Sequence, residues 1–201
     1  MTDKRAELLK SGKELFSKNG FKGTNVAKIT KGAGMATGTF YNYYDSKDKL
    51  FLDIFLEENI KLKKSILETV DLDKEPMVVL EEMITKNING IKSNSILREW
   101  YNKDVYNRIE KLYRQEKGTA HIDFVFDCFI DVIKQWQDDG KMRKDIDAQM
   151  IMAIFSAIIN IDTHKEEIGL EYFPQVIEYL AEFTMKGLMI NENKNEAKEE
   201  V

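Results

Sequence analysis

The segment from Thr24 to Leu50, TNVAKITKGAGMATGTFYNYYDSKDKL, decides the fold. It reads as two short helices joined by a glycine turn and followed by the start of a longer helix. Thr24 is placed to cap the first helix, accepting hydrogen bonds from N–H groups one turn in. Val26, Ile29 and Ala33 recur at helical spacing on its inner face. Gly32 and Gly34 end it, because glycine takes the positive φ that a tight helix exit needs. After Met35 a second run, Ala36 to Tyr43, leaves Gly38, Thr39, Tyr41 and Asn42 facing outward. Two helices of this size about a glycine turn form the helix-turn-helix pattern, whose second helix can lie in a DNA major groove.

The flanking sequence supplies the rest of a small head. Leu8, Leu9, Gly12, Leu15 and Phe16 share one face of a first helix that stops at Asn19-Gly20. Ser46 caps the helix after the turn, with Asp48 in its first turn, where a negative charge is favourable. Leu50, Phe51, Ile54, Phe55, Leu62, Ile66 and Leu67 carry that helix to about Val70, a length of ~36 Å at 1.5 Å per residue. No Gly- or Pro-rich linker separates head from body.

Downstream the reading stays helical. The chain has only 2 prolines, Pro76 and Pro174, and no strand-like alternation of β-branched residues. Pro76 suits the first turn of a helix running to about Lys92. Ser93-Asn94-Ser95 then breaks the chain before a short segment, Ile96 to Asn102. A helix through Tyr106, Ile109, Leu112 and Tyr113 ends at Gly118. The next, about Thr119 to Asp139, separates into a polar arc of Asp123, Asp127, Asp131, Lys134 and Asp138 and an apolar side with Phe124, Val125, Cys128, Phe129, Val132 and Trp136. Asp145 or Asp147 starts a strongly apolar helix, and Pro174 opens the last one. Residues 191–201 form a polar tail.

Charge is unevenly placed along the 201 residues. Residues 1–50 hold 10 Lys/Arg against 5 Asp/Glu, a net of +5, and the remainder holds 20 against 30, a net of −10. A basic first quarter on an acidic body fits a nucleic-acid-binding head on a body that does not bind DNA. Cys128 is the only cysteine, so an intrachain disulfide is excluded and a reducing compartment expected. The N-terminal residues are charged and lack the apolar core of a secretory signal. The longest apolar run, Met150 to Ile161, is too short to span a bilayer. The expected location is the cytoplasm, with no membrane partner.

The pattern T-x-V-A-x-I-x-x-x-A-G-M-x-x-G-T-F-Y-x-Y-Y-x-S-K-D-K-L, with Thr24, Ile29, Ala33-Gly34, Gly38-Thr39, Tyr41 and Ser46-Lys47 in one window, resembles the DNA-binding domain of the tetracycline-repressor (TetR) family of bacterial transcriptional regulators. It departs from that pattern at Thr30, where a small Ala is usual, and at Ala36-Thr37, where Ser-Lys is common. The resemblance implies an all-α protein: a three-helix head joined by a long helix to a helical ligand-binding and dimerisation domain. The divisions are 2–62, 63–190 and the 191–201 tail. Thr24, Tyr41, Tyr43, Lys47 and helix-terminal N–H groups would hold phosphates. Thr37, Gly38, Thr39 and Asn42 would face the base edges.

Other features are weaker. The carboxylates at 123, 127 and 131 read as a solvated stripe rather than a metal site. His121 reads as a core or pocket-edge histidine, His164 as solvent-facing, and Cys128 as a small hydrophobe. No metal-ligand cluster, phosphate-cradling loop or nucleophile with a base is evident, so neither an enzyme nor a cofactor is expected. The family resemblance implies an apolar body pocket, for which Trp100, Tyr101, Tyr106, Phe124, Cys128 and Phe155 are the candidate lining. Ile151, Ile154 and Ile158, with Val176, Leu180 and Phe183, are the candidate dimer face, as half of an intersubunit four-helix bundle. The expected protein is a homodimeric repressor of a near-palindromic operator, released by an unknown small hydrophobic or amphipathic ligand. The alternatives are a helical small-molecule-binding protein or enzyme with a vestigial head, and a non-specific nucleoid-type binder.

Overall fold

The computed structural model describes residues 3–116, 123–173 and 175–190. The readings of Gly118, Thr119, His121, Pro174 and the tail lie outside the described residues. Within them the chain forms α1 (Lys4–Asn19), α2 (Val26–Gly32), α3 (Thr37–Phe40), α4 (Lys47–Thr69), α5 (Pro76–Ser93) and α6 (Ser95–Arg98), the last continued by a 3-10 turn, Glu99–Tyr101. After these come α7 (Lys103–Gln115), α8 (Asp123–Asp138), α9 (Ala148–Asn160), α10 (Lys165–Ile168) and α11 (Gln175–Leu188). The one β feature among the described residues is an isolated bridge, Met142 to Met189. No described helix is long and apolar enough to cross a membrane.

The chain divides into two compact units, each built from two stretches: 1–66 with 86–122, and 67–85 with 123–201. Helical periodicity shows which face of a helix is apolar, but not which distant helix covers it.

The first unit has one continuous core running from Leu8 to Tyr113. Asp3 caps α1, its carboxylate accepting from the N–H groups of Arg5 and Ala6. Leu8, Gly12 and Phe16 then face inward. A Cβ at Gly12 would lie 2.9 Å from Leu50 Cδ2, so this glycine lets α1 and α4 approach closely. Ser46 caps α4 by accepting from the Lys49 N–H at 3.1 Å. Phe16, Phe21 and Phe51 form an aromatic triangle with centroid separations of 5.0–6.0 Å, the offset and edge-on spacings that rings prefer. A second cluster centres on Trp100, stacked on Phe55 at 5.1 Å and flanked by Tyr106 at 5.0 Å and Tyr113 at 4.7 Å.

In the second unit α9 packs against α8 and α11. Buried Gln137 ties down the loop between α8 and α9, donating from Nε2 to the carbonyls of Arg143 and Ile146, both at 2.8 Å. The same loop holds the end of α11 through Arg143 N–H to Leu188 O at 2.9 Å and Ile190 N–H to Lys141 O at 3.2 Å. Asp147, one of the two candidate starts, caps α9 by accepting from the Met150 N–H.

The loop between α1 and α2 is short, polar at its edges and fastened from several sides. Phe21 is its buried anchor. The Lys47 ammonium donates to Phe21 O at 2.8 Å and Thr24 O at 2.9 Å, and sits 3.9 Å from the Phe21 ring centroid. Replacing Lys47 by Met keeps the stem and removes both donors. Lys47→Met is expected to lower unfolding free energy by about 1–2 kcal/mol, read by urea denaturation; a change below ~0.3 kcal/mol would show that the ammonium does not hold the loop.

Candidate nucleic-acid interface

Two glycines in the helix-turn-helix do different jobs. Gly34 has φ 67° and makes the turn, with Met35 N–H closing it on Thr30 O at 2.8 Å. Gly32 is not a left-handed exit, contrary to the sequence reading. It is the last residue of α2, and a Cβ there would come within 2.4 Å of Ser11 Oγ. Ser11, buried on α1, donates to Ile29 O at 2.8 Å. The close approach of two helices, which has no local sequence signature, accounts for this glycine.

The cap of α2 also differs from expectation. Asn25 is the capping residue, its side chain accepting from Lys28 N–H at 2.9 Å. Thr24 is only 1% exposed, and its hydroxyl turns inward within reach of Leu15 O and Gly20 O, at 3.1 and 2.9 Å. Thr24 is thus a fastener of the head and its hydroxyl is not available to a phosphate. Two adjacent residue types, Thr and Asn, both suit a cap; burial of one decides between them.

The structure sets α3 at Thr37–Phe40, shorter than the expected run to Tyr43, with turns over 41–43. Ala36 precedes it without a side-chain capping bond. Phe40 is fully buried and Tyr44 nearly so, and these two pin the segment down. Between and before them Thr37, Gly38, Tyr41, Asn42 and Tyr43 are exposed, and Thr39 is half-buried. Tyr41 is 58% and Tyr43 41% exposed. Large aromatic side chains left in solvent beside a buried anchor, on the basic part of the chain, form the kind of surface that contacts a partner.

Gly38 adds a separate observation. A Cβ built on it meets nothing within 4 Å, and its φ lies outside the left-handed region. The fold therefore makes no demand for glycine there.

Lys47 does not join this surface as expected. Two of its three N–H donors point into the loop carbonyls. Burial pushes its pKa below the ordinary lysine value, with Arg108 adding to the effect and Asp48 and Glu99 opposing it. Its ammonium is engaged with the carbonyls of the loop between α1 and α2, which it helps to position.

The candidate pocket residues fall into both units, Trp100, Tyr101 and Tyr106 in the first and Phe124, Cys128 and Phe155 in the second. Trp100 and Tyr106 are packed inside the aromatic cluster, Tyr101, Phe124 and Phe155 are half-buried, and Cys128 is exposed. The buried side of α8 is centred on Ile133, Trp136 and Gln137, and Cys128 lies beyond its edge. A wheel divided only into polar and apolar halves misplaces such a flank residue.

The candidate dimer face divides similarly. Ile151 and Ile158 are buried within the chain itself, as core residues are. Ile154, Val176 and Leu180 are half-buried, while Phe183 is 63% exposed and stacks on exposed Tyr179 at 5.9 Å. Met150 and Ile159 on α9 are also exposed. An all-round apolar helix such as α9 has no polar side to show which stripe serves the subunit core.

Among the described residues no three His, Cys, Asp or Glu side chains gather in a way that could hold a metal ion. His164 is half-exposed, with Nδ1 2.8 Å from Glu167 Oε2. Asp131 pairs with Lys134 and Asp138 with Lys144 on the solvent side of α8.

Residues 8–54 match the family model of bacterial regulatory proteins, tetR family. Among curated proteins, the chain is 26% identical over 153 residues to the HTH-type transcriptional repressor KstR2 of Rhodococcus jostii, covering 73% of this chain and 72% of that one. It is 30% identical over 79 residues to the fatty acid metabolism regulator protein of Bacillus subtilis, which covers 34% of this chain and 41% of that one. Among solved structures, Thermus thermophilus FadR, a TetR family transcriptional repressor in complex with lauroyl-CoA, superposes with a TM-score of 0.64 at 20% identity, over 94% of this chain and 96% of that chain. Residues 8–54 thus carry a domain of the tetR family of bacterial regulatory proteins, with the helix-turn-helix of a DNA-binding transcriptional regulator.

Proposed function

We propose that the protein is a homodimeric repressor that reads a near-palindromic operator with the Thr37–Tyr43 surface and lets go when a small hydrophobic or amphipathic molecule binds the body. The observation that carries the reading is the exposed segment Thr37–Tyr43, clamped at buried Phe40 and Tyr44 and set in the basic quarter of the chain. Phosphate contacts fix register and base contacts give specificity. Tyr41 and Tyr43 serve the first purpose, and Thr37, Thr39 and Asn42 the second. Gly38 brings the backbone close to the duplex, which explains a glycine that the fold does not need. Two such heads about a two-fold axis require half-sites one helical turn, ~34–36 Å, or a multiple apart.

Dimerisation is supported by exposed Tyr179 and Phe183, which stack on one another on α11. Apolar side chains this large are costly to leave in water when a second copy can cover them. The ligand class rests on likeness to Thermus thermophilus FadR, whose structure holds lauroyl-CoA; lauroyl-CoA is therefore the first probe.

The reading is tested by selecting bound sequences from a random duplex pool at fixed salt, then titrating the selected operator. Gly38→Ala should keep or raise thermal stability, by up to ~1 kcal/mol from helix propensity, yet weaken operator binding at least tenfold. Wild-type affinity in that variant would remove Gly38 from the interface.

Two side chains separate interface from core. Phe183→Glu should yield a folded monomer with native far-UV circular dichroism, because an exposed site accepts a charge. Ile158→Glu should fail to fold, because an unpaired charge in the core is costly. A Phe183→Glu dimer of wild-type stability in sedimentation would exclude this face.

Lauroyl-CoA, if it acts on this chain, must bind the DNA-free state better than the operator-bound state. It should lower operator affinity by about 5–150-fold, with operator lowering lauroyl-CoA affinity by the same factor. Calorimetric titrations in both orders measure the two factors, and unequal factors would refute a linked two-state switch.

A further inference from the structure

We propose that Thr30 orients the hydroxyl of Thr37 so that the recognition surface presents a hydrogen-bond acceptor there, and that this selects adenine or cytosine, the bases with an amino group in the major groove. The inference rests on the reading that Thr37 faces base edges.

Thr30 is 1% exposed, on the inner side of α2. Its Oγ1 lies 3.1 Å from Val26 O, 3.2 Å from Ala27 O and 3.4 Å from Thr37 Oγ1. A hydroxyl has one proton and two lone pairs, and a carbonyl oxygen has no proton. The contacts with the two carbonyls are hydrogen bonds only if Thr30 donates, one proton shared between two acceptors. Thr30 then has nothing left to offer Thr37 except a lone pair.

The contact between the two hydroxyls is consequently made with the Thr37 proton, which points inward at Thr30. The reverse arrangement would send the buried proton along the longest of the three contacts and give up both carbonyls. At 3.4 Å the bond is at the long end for O–H···O, so it acts as a bias on a rotor rather than a lock. The rotor itself is at the surface: Thr37 is exposed. With its proton turned inward, Thr37 shows lone pairs to the duplex.

A threonine hydroxyl ordinarily reads donors and acceptors alike. Biased as it is here, it favours donors in the groove, which are the N6 amino group of adenine and the N4 amino group of cytosine. Guanine O6 and N7 and thymine O4 are acceptors and would face lone pair to lone pair. The same bias makes Thr37 a poor phosphate anchor, because phosphate oxygens also need a proton.

The test compares sequence preferences from a random duplex pool for full-length wild type, Thr30→Val, Thr30→Ala, Thr37→Val and Thr37→Ser. Thr37→Val removes the hydroxyl and so identifies the position that Thr37 reads. At that position wild type should favour A and C over G and T on the contacted strand by about fivefold. Thr37→Ser should keep this preference. Thr30→Val, close in shape and lacking the acceptor, should bring it within about twofold while leaving other positions unchanged; Thr30→Ala gives the same readout should the valine variant not fold. An undiminished A/C preference in the folded Thr30 variants would overturn the inference, as would unchanged wild-type affinity when purine, which lacks the N6 amino group, replaces adenine at the mapped base pair. Enrichment of no sequence by wild type would instead bring down the operator reading on which it rests.

Discussion

The head depends on the burial of Phe21. This residue sits in the loop between α1 and α2, where a chain without it would have only polar side chains and backbone. Its ring fills the angle between Phe16 and Phe51. Its carbonyl accepts from Lys47 at 2.8 Å, and its N–H donates to Glu99 Oε1 at 2.9 Å. Two cations lie over the ring, Lys47 at 3.9 Å and Arg108 at 5.3 Å. Every polar group of one buried loop residue is thus matched, and the partners come from α4, from the turn after α6 and from α7. A buried polar group left without a partner would cost far more than any of these bonds contributes.

The head's fasteners come from distant stretches of the chain. Lys22 pairs with Asp104 and Arg108 with Asp48, and Glu58 on α4 joins Lys13 at 2.6 Å to the capping Asn94 at 2.9 Å. Burial pushes the Glu58 carboxyl upward, but its bonds to Lys13 and Asn94 outweigh this and hold it below the ordinary value. Surface pairs of this kind are each worth little. Their significance is directional: they tie the 95–108 segment to the loop that positions α2 and α3. Whatever displaces that segment acts on the recognition surface.

The helical class, the helix-turn-helix, the capping role of Ser46 and the outward setting of Gly38, Tyr41 and Asn42 were legible in the order of residues. They rest on local rules of period, cap and turn. Non-local contacts were not legible. Thr24 resembled a cap and is a buried fastener; Lys47 resembled a phosphate ligand and is a loop clamp; Ile151 and Ile158 resembled an interface and are buried within the chain itself. Each has a residue type suited to two roles, and the choice between them is made by packing from elsewhere in the chain. The same holds for Gly32 and Gly38. One is dictated by Ser11 on another helix, and the other by no atom within 4 Å in the chain.

The proposed recognition surface belongs to the same compact unit as residues 86–116, and the two should open together. Native-state hydrogen exchange of the whole protein measures this directly, since amides that open together share one opening free energy. The slow amides of α1 and α4, the Phe21 amide and those of α7 should converge on a common value as denaturant is added. A head whose amides open at a distinctly lower free energy than α7, with Phe21 exchanging as an ordinary surface amide, would contradict the account.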